Sequence, residues 1–201
     1  MKKAKLILKD GSTIEGDSFG ASVSSAGEVV FNTGMVGYVE TLTDPSYAGQ
    51  ILVLTYPLVG NYGVPSSKKF ESEKIQVAGL IVSEYSEKYS HHEAKESLSE
   101  WLKRSKVPAL TGVDTRALTK KLRTHGVMLG QISVNGKKKG FVDPNKENLV
   151  AKVSIAKKKT YPAVVGGRGK PVRIVAVDCG MKENIARSLT ARGATVLRVP
   201  W

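Results

Sequence analysis

The single cysteine of this sequence, Cys179, is its first candidate for nucleophilic chemistry. A nucleophilic cysteine on a strand-to-helix turn is typically flanked by glycines, as Gly-x-Cys-x-Gly, and needs a histidine as its base. Here the context is Val-Asp-Cys-Gly-Met, so the glycine two residues before Cys179 and the glycine two residues after it are both missing. The pattern favours a small apolar residue at the end of a strand, and we expect Cys179 to be non-catalytic.

The three histidines are His91, His92 and His125. Adjacent residues point in different directions on a helix or a strand, so His91 and His92 are not expected to share a site. No spacing of His, Cys, Asp and Glu matches a zinc site. We therefore predict that the chain has no metal site.

Two further segments place polar side chains where a ligand could bind. The turn Asp178-Cys179-Gly180 follows an apolar run, but it lacks the three glycines of a dinucleotide loop, so nucleotide binding is not expected there. Asp114 and Arg116 stand at the start of a predicted helix. Asp114 has the position of an N-cap, whereas Arg116 is left open between helix capping and a role at an interface. Ser46 lies in an Asp-Pro-Ser-Tyr turn, where serine is common for local reasons.

The elements that would position these residues begin with a β-rich front. Residues 4–9 alternate and lead into Asp10-Gly11, a strong hairpin signal. The return strand and the next strands are predicted at 13–19, 28–32, 50–56, 75–82, 107–110 and 128–134. The run at 50–56 is nearly all apolar, which predicts a strand covered on both faces. Helices are predicted at 92–104 and, after Asp114, through His125 to a stop at Gly126.

The last fifty residues differ in composition. Residues 154–171 combine lysines, glycines and prolines and are typical of a linker. A buried parallel strand at 172–177, a helix at 182–192 with Ile185 and Leu189 facing inward, and a strand at 195–199 follow, ended by Trp201. This β-α-β unit opens a doubly wound fold, which cannot close on two strands, so we expect the chain to be truncated.

Composition limits the class of protein. One cysteine excludes an internal disulfide framework, and the apolar run near the start is too short for a signal peptide, so a cytoplasmic location is expected, with a mitochondrial one open if a transit peptide has been removed. No stretch is apolar for long enough to span a membrane, and no membrane partner is expected. The net charge of +13, including lysine triplets at 137–139 and 157–159, admits nucleic acid or an acidic protein as partner. With only 6% aromatics, nucleic acid is disfavoured.

Three motifs carry a family resemblance, and in order they cover nearly the whole chain. Residues 28–65, which contain the Asp-Pro-Ser-Tyr turn, residues 112–119 (Gly-Val-Asp-Thr-Arg-Ala-Leu-Thr) and residues 175–185 (Val-Ala-Val-Asp-Cys-Gly-Met-Lys-Glu-Asn-Ile) resemble the small chain, or glutaminase subunit, of carbamoyl-phosphate synthetase. Details near Pro65 and at 141–146 resemble the fused eukaryotic forms more than the separate bacterial subunit.

The resemblance implies an α/β protein in two parts. Residues 1–155 would form the amino-terminal domain, a three-layer β/β/α swivelling fold, followed by a linker at 156–171. Residues 172–201 would form the first β-α-β unit of a flavodoxin-like class I glutamine amidotransferase domain, left incomplete.

In the family, a cysteine thiolate attacks the side-chain amide of glutamine, aided by a histidine and a glutamate, and the ammonia passes to a synthetase part that uses bicarbonate and two ATP. By resemblance, all three catalytic residues would lie beyond Trp201, so this chain would have none and would be inactive alone. Ser46 matches the serine that contacts bound glutamine, and is the one substrate-binding residue carried over. The implied partners are L-glutamine and the synthetase subunit or fused synthetase domains, and no cofactor is implied in this segment.

Two other readings remain open. The positive charge alone suggests a basic nucleic-acid-binding module, although no recognised motif for it is present. The chain could also be a complete protein that has lost catalysis and only docks. Whether the product feeds pyrimidine or arginine synthesis is left open.

Overall fold

The hairpin predicted at Asp10-Gly11 opens the fold. The computed structural model describes residues 2–164 and 172–201. Lys2 to Leu8 pairs antiparallel with Thr13 to Ser18, and Gly11 supplies the positive φ of 89° that the turn needs. In chain order the strands β1 to β12 are Lys2–Leu8, Thr13–Ser18, Ser25–Asn32, Gln50–Leu54, Leu58–Val59, Gly79–Ile81, Glu84–Tyr85, Ala109–Thr111, Met128–Val134, Lys159–Tyr161, Val172–Asp178 and Ala194–Pro200.

Within the described residues, five α-helices connect these strands. They are α1 to α5, at Tyr38–Thr43, Leu98–Arg104, Thr115–His125, Leu149–Val153 and Glu183–Ala191. Short 3-10 turns lie at Pro45–Tyr47, Ser67–Lys69 and Pro144–Lys146. None of the helices in the described ranges is long and apolar enough to cross a membrane.

Seven strands close into a mixed barrel in the order β1-β2-β8-β6-β4-β3-β9. Its β3-β4-β6-β8 portion is parallel throughout, and the other pairings are antiparallel. The predicted α/β class is confirmed at this level. Strands β5 and β7 form a separate two-stranded parallel sheet.

Strand β4 explains why the sequence run at 50–56 is almost entirely apolar. Ile51 and Val53 point into one buried cluster, while Leu52 and Leu54 point into another. The first cluster also holds Leu118 of α3, and the second holds Trp101 of α2. A strand covered on both faces needs apolar residues at successive positions, as predicted.

Several predicted boundaries were wrong. The strand expected at 75–82 is limited to β6. Residues 75–78, which precede β6, have no regular secondary structure. The helix expected from 92 begins only at Leu98, since Ser97 and Glu100 form a reciprocal capping box there. Its apolar periodicity upstream therefore belongs to a loop. The helix after Asp114 is confirmed, with that carboxylate accepting from Ala117 N–H.

The carboxyl-terminal unit has the predicted β-α-β order, with β11 and β12 parallel in register from Val172↔Ala194 to Asp178↔Pro200. Residues 159–161, inside the segment predicted as a linker, form β10 and pair antiparallel with β12. Lysine-rich composition does not prevent pairing at an exposed sheet edge, where the lysine side chain stays in water. Residues 165–171 of that segment lie outside the described part of the chain.

Two predictions about which side chains are buried in this unit were wrong. Strand β11 was predicted to be buried on both sides, yet Val175 and Val177 are 64% and 60% exposed. Helix α5 covers only the other face of the sheet. It does so through Ala186 and Thr190, whereas the predicted inward residue Ile185 is 46% exposed and Leu189 is half-buried. A helix residue one position away turns by ~100°, so a small error in phase moves a side chain from the sheet to the solvent.

Candidate functional site at the junction of the two units

The Asp-Pro-Ser-Tyr turn forms a single 3-10 turn directly after α1. Asp44 Oδ1 accepts a hydrogen bond from Ser46 N–H at 2.9 Å, and Pro45 occupies the first position of the turn. Proline fixes its own φ and the aspartate side chain caps the turn, so the backbone at Ser46 is held locally. The Ser46 side chain is exposed, and among the described residues its hydroxyl has no hydrogen-bond partner. It is therefore free to bind a ligand.

The same aspartate ties this turn to the carboxyl-terminal unit. Asp44 Oδ2 lies 2.6 Å from Lys182 Nζ, and the aspartate side chain is only 7% exposed. The hydrogen bond to Asp44 raises the pKa of Lys182, against the opposing effect of partial burial. A carboxylate that is buried needs such a partner, since an unpaired buried charge is strongly unfavourable. The ion pair thus joins the Ser46 turn to the residue that precedes α5.

A buried carboxylate organises the opposite side of the junction. Asp178, fully buried at the end of β11, accepts from the backbone N–H groups of Gly180 and Met181 at 3.0 and 2.7 Å. Its other oxygen accepts from Ile155 N–H at 2.6 Å and lies 2.9 Å from Arg198 Nη2. Burial opposes the charge, but Arg198 and the three N–H donors outweigh it and lower the pKa of Asp178.

Arg198 extends this network across β12. Its guanidinium donates to Glu183 Oε1 at 2.9 Å and to the Met181 carbonyl at 2.9 Å, and only 4% of the residue is exposed. Tyr161 of β10 donates its hydroxyl to the same Glu183 oxygen at 2.8 Å. Burial opposes the charged form, yet Asp178 and Tyr161 hold the pKa of Arg198 above its usual value. The turn after β11 is thus fixed by charged groups on three elements.

Helix α5 is capped from the other unit. Its own N-cap residue makes no side-chain cap. Instead Glu71, 6% exposed, accepts from Asn184 N–H at 2.8 Å and lies 2.7 Å from Arg187 Nη2. The Glu71 carbonyl also accepts from Glu183 N–H at 2.9 Å. A carboxylate at a helix amino end satisfies an orphan N–H group and favours the positive end of the helix dipole.

The turn that carries Cys179 packs closely on the Ser46 turn. Gly180 has a φ of 100°, and a Cβ placed there would lie 2.9 Å from Val153 and 3.3 Å from Pro45. Cys179 itself follows the end of β11, as predicted, and its side chain is exposed. Among the described residues no histidine makes a hydrogen bond to it.

One argument about histidines was wrong in its geometry. His91 and His92 lie in a loop rather than on a helix or strand, and their rings stack with centroids 4.4 Å apart. One ligand atom from each of His91, His92 and Glu93 can be chosen within 4.8 Å of the others. However, Glu93 already pairs with Lys69, and its N–H donates to His91 Nδ1 at 3.2 Å. These contacts explain the loop without a metal.

The sequence pointed to some of this junction and missed the rest. Ser46 and the turn after β11 were noticed, although nothing in the sequence indicated that they meet. Glu71 and Arg187 gave no signal, because each stands among other polar residues in the sequence. The two residues are also more than one hundred positions apart. Asp178 was interpreted only as a turn residue. An aspartate that directly follows an apolar strand is the one signal that could have indicated its role.

Comparison with known proteins agrees with the resemblance. The family described as "Carbamoyl-phosphate synthase small chain, CPSase domain" matches residues 6–132. The chain is 54% identical over 208 residues to "Carbamoyl-phosphate synthase (ammonia), mitochondrial" of Aquarana catesbeiana, covering 98% of this chain and 14% of that protein. Against the human protein of the same name it is 50% identical, again over 98% of this chain and 14% of the other.

A differently named relative matches as well. "Multifunctional protein CAD" of Squalus acanthias is 51% identical, over 98% of this chain and 9% of its own length. The chain belongs to the carbamoyl-phosphate synthase small-chain family. It spans 14% or less of the length of these three relatives.

Proposed function

We propose that this chain is the part of a glutamine-dependent carbamoyl-phosphate synthetase that docks on the synthetase part and supplies one side of the glutamine pocket. The observation that carries the proposal is Ser46, whose exposed hydroxyl is unused by the described chain at a turn joined to both units. A hydroxyl can donate to the carboxylate of glutamine and accept from its ammonium group. A preorganised turn offers these contacts with little loss of conformational entropy on binding.

The two units correspond, in this proposal, to two domains of the family. Residues 1–155 are assigned to the three-layer β/β/α swivelling domain and 172–201 to the opening of the class I amidotransferase domain. The exposed apolar face of β11, with Val175 and Val177, supports the second assignment, because a parallel sheet is normally covered on both faces. In the longer protein that face would be covered by the remainder of the amidotransferase domain, which would carry the catalytic cysteine, histidine and glutamate.

The proposed partner is the synthetase part, as a separate subunit or in the same polypeptide. The alternative, a basic nucleic-acid-binding module, rests on the net charge and on the exposed lysines of the two triplets. Binding of the chain to the isolated synthetase part and to a random DNA duplex, each at low and high salt, separates the two. A packed protein interface keeps its affinity in salt, whereas phosphate contacts lose it steeply. Binding to DNA alone would refute docking.

The choice of nitrogen source needs its own test, because the frog and human relatives carry ammonia in their names. Ser46→Ala is made in the longer natural protein, and carbamoyl-phosphate formation is measured with glutamine and with ammonia. We expect glutamine-dependent activity to fall about tenfold, as the loss of a hydrogen bond to a charged group implies, with ammonia-dependent activity unchanged.

Ser67→Ala is the matched control, since Ser67 is also an exposed serine in a 3-10 turn and lacks a side-chain hydrogen bond among the described residues. It should leave both activities intact. Equal losses with glutamine and ammonia in Ser46→Ala would refute the proposed contact. Absence of any glutamine-dependent activity in the unmodified protein would refute the glutamine-dependent assignment itself.

A further inference from the structure

A second concave site lies far from Ser46. Ser46 comes before the amino end of β4, and this site lies beyond the carboxyl end of the same strand. A five-residue strand spans ~17 Å, so the two sites are on opposite edges of the barrel. The pocket has a volume of about 440 Å³, within the usual range for small-molecule sites.

The pocket is built where the parallel strands of the barrel end. Thr33 follows β3, Thr55 follows β4, Ser83 follows β6, and the segment after β8 leads into α3. In parallel sheets, ligands bind beyond the carboxyl ends of the strands, because loops from neighbouring strands converge there. The register places these ends side by side, with β3, β4, β6 and β8 adjacent in that order.

Unused hydroxyl groups line this pocket. Five lining residues carry a hydroxyl that makes no hydrogen bond to another described residue: Thr33, Thr55, Ser83, Thr115 and Thr119. Thr115 is only 4% exposed, and Thr119 Oγ1 is fully inaccessible without a partner. A buried hydroxyl normally finds a partner, since leaving it unpaired is unfavourable. The unpaired Thr115 hydroxyl at the pocket lining indicates that an acceptor or donor from a ligand belongs there, whereas the enclosed Thr119 Oγ1 is not open to the pocket.

The charge of the pocket is strongly positive. Arg116, Lys120 and Arg123 line it from one face of α3, at spacings of four and three residues, and none has an ion-pair partner within the described chain. Like charges at these spacings destabilise a helix unless an anion lies between them. Among the described residues that line the pocket, Asp114 has the one carboxylate, and this group already caps the amino end of α3. The eleven-residue helix α3 adds the positive end of its dipole.

We propose that this pocket binds a phosphate group, free or as a small phosphate monoester. Arg116 and Lys120 would pair with the phosphate oxygens, and the accessible threonine hydroxyls, that of Thr115 among them, would donate to the same oxygens. The volume leaves room for the organic part of a monoester. This inference is independent of the proposed function, because none of its residues belongs to the Ser46 junction.

The test is calorimetric titration of the 201-residue chain with inorganic phosphate, ribose 5-phosphate and ribose at constant ionic strength. We expect saturable one-to-one binding of both phosphates and none of ribose. Tighter binding of ribose 5-phosphate would identify a monoester as the ligand, and equal or tighter binding of phosphate would identify the free ion. Each of these results supports the site.

Arg116→Gln should weaken binding about tenfold, as expected for the loss of a charged hydrogen bond. Lys103→Gln is the control: Lys103 is an exposed lysine on α2, outside the pocket, and its replacement removes the same charge. Thr115→Val should weaken binding while leaving the melting temperature nearly unchanged, because it removes a hydroxyl that makes no hydrogen bond within the described chain. Equal effects of Arg116→Gln and Lys103→Gln would show attraction by net charge only and would overturn the proposal, as would ribose binding or no phosphate binding.

Discussion

Replacing Asp178 with asparagine should destabilise the carboxyl-terminal unit. Asp178 is fully buried and pairs with Arg198, whose side chain is 5% exposed. Asparagine keeps the size of the side chain but is neutral, so the buried positive charge of Arg198 loses part of the negative charge that balances it. Removing one partner of a buried ion pair costs about 3 to 5 kcal/mol. Glu183 also pairs with Arg198, so we expect the lower end of that range, about 3 kcal/mol.

The loss should be local and is best measured by hydrogen exchange. Amides of α5 and β12 should exchange about 100-fold faster in Asp178→Asn, because each 1.4 kcal/mol corresponds to a factor of ten. Amides of the barrel strands β3 and β4 should keep their protection. Glu15→Gln is the control, since Glu15 pairs with Lys5 at 2.7 Å on an exposed surface and such pairs contribute little. Unchanged exchange in α5 would refute the stabilising role of Asp178.

The same carboxylate sets a pH dependence. Because the folded-state pKa of Asp178 is lowered, the unfolded state binds its proton more readily than the folded state does. Its contribution is therefore complete above the unfolded pKa of about 3.9 and is lost as the pH falls through the folded value. Protection of α5 should decline with acid in the unmodified chain, and this component of the decline should be absent in Asp178→Asn. Identical acid profiles would contradict the linkage.

Two further predictions concern the same junction. Gly180→Ala should destabilise the carboxyl-terminal unit by about 1 to 3 kcal/mol, since it combines the positive φ with a Cβ 2.9 Å from Val153. Gly11→Ala is the control for backbone strain alone, because Gly11 has a positive φ but open space around its Cβ position. Equal urea midpoints of the two variants would refute the contribution of the contact with Val153. Glu71→Gln should cost about 1 to 2 kcal/mol in α5 protection, because it weakens a charged cap and the pair with Arg187. Full protection in that variant would show that the helix needs no cap from the barrel.

Local patterns predicted those elements whose signals lie within a few residues. The Asp10-Gly11 turn, the apolar run of β4 and the helix from Asp114 to Gly126 were all confirmed, because turn geometry, burial on two faces and capping act over short distances. The start of α2 was predicted too early, since apolar spacing continued upstream of the capping box at Ser97. There a local start signal, the capping box, overrode the periodicity.

The residues of the two sites also divide into those that the sequence indicated and those that it did not. Sequence motifs, through the family resemblance, identified the family and singled out Ser46, and Arg116 of the second pocket was noted as a residue with an open role. The exposure of β11 could not be predicted, because an apolar run has the same sequence pattern whether the strand is covered on one face or on both.

What the sequence by itself determined was the family, the α/β class and the local turns, since these depend on residue type and short spacing. Only the tertiary structure decided that Glu71 caps α5, that Asp44 pairs with Lys182, and that hydroxyls from three strand ends meet the basic face of α3. These contacts join residues far apart in the chain. They arise from the order in which strands close the barrel, and that order leaves no periodic trace in the sequence.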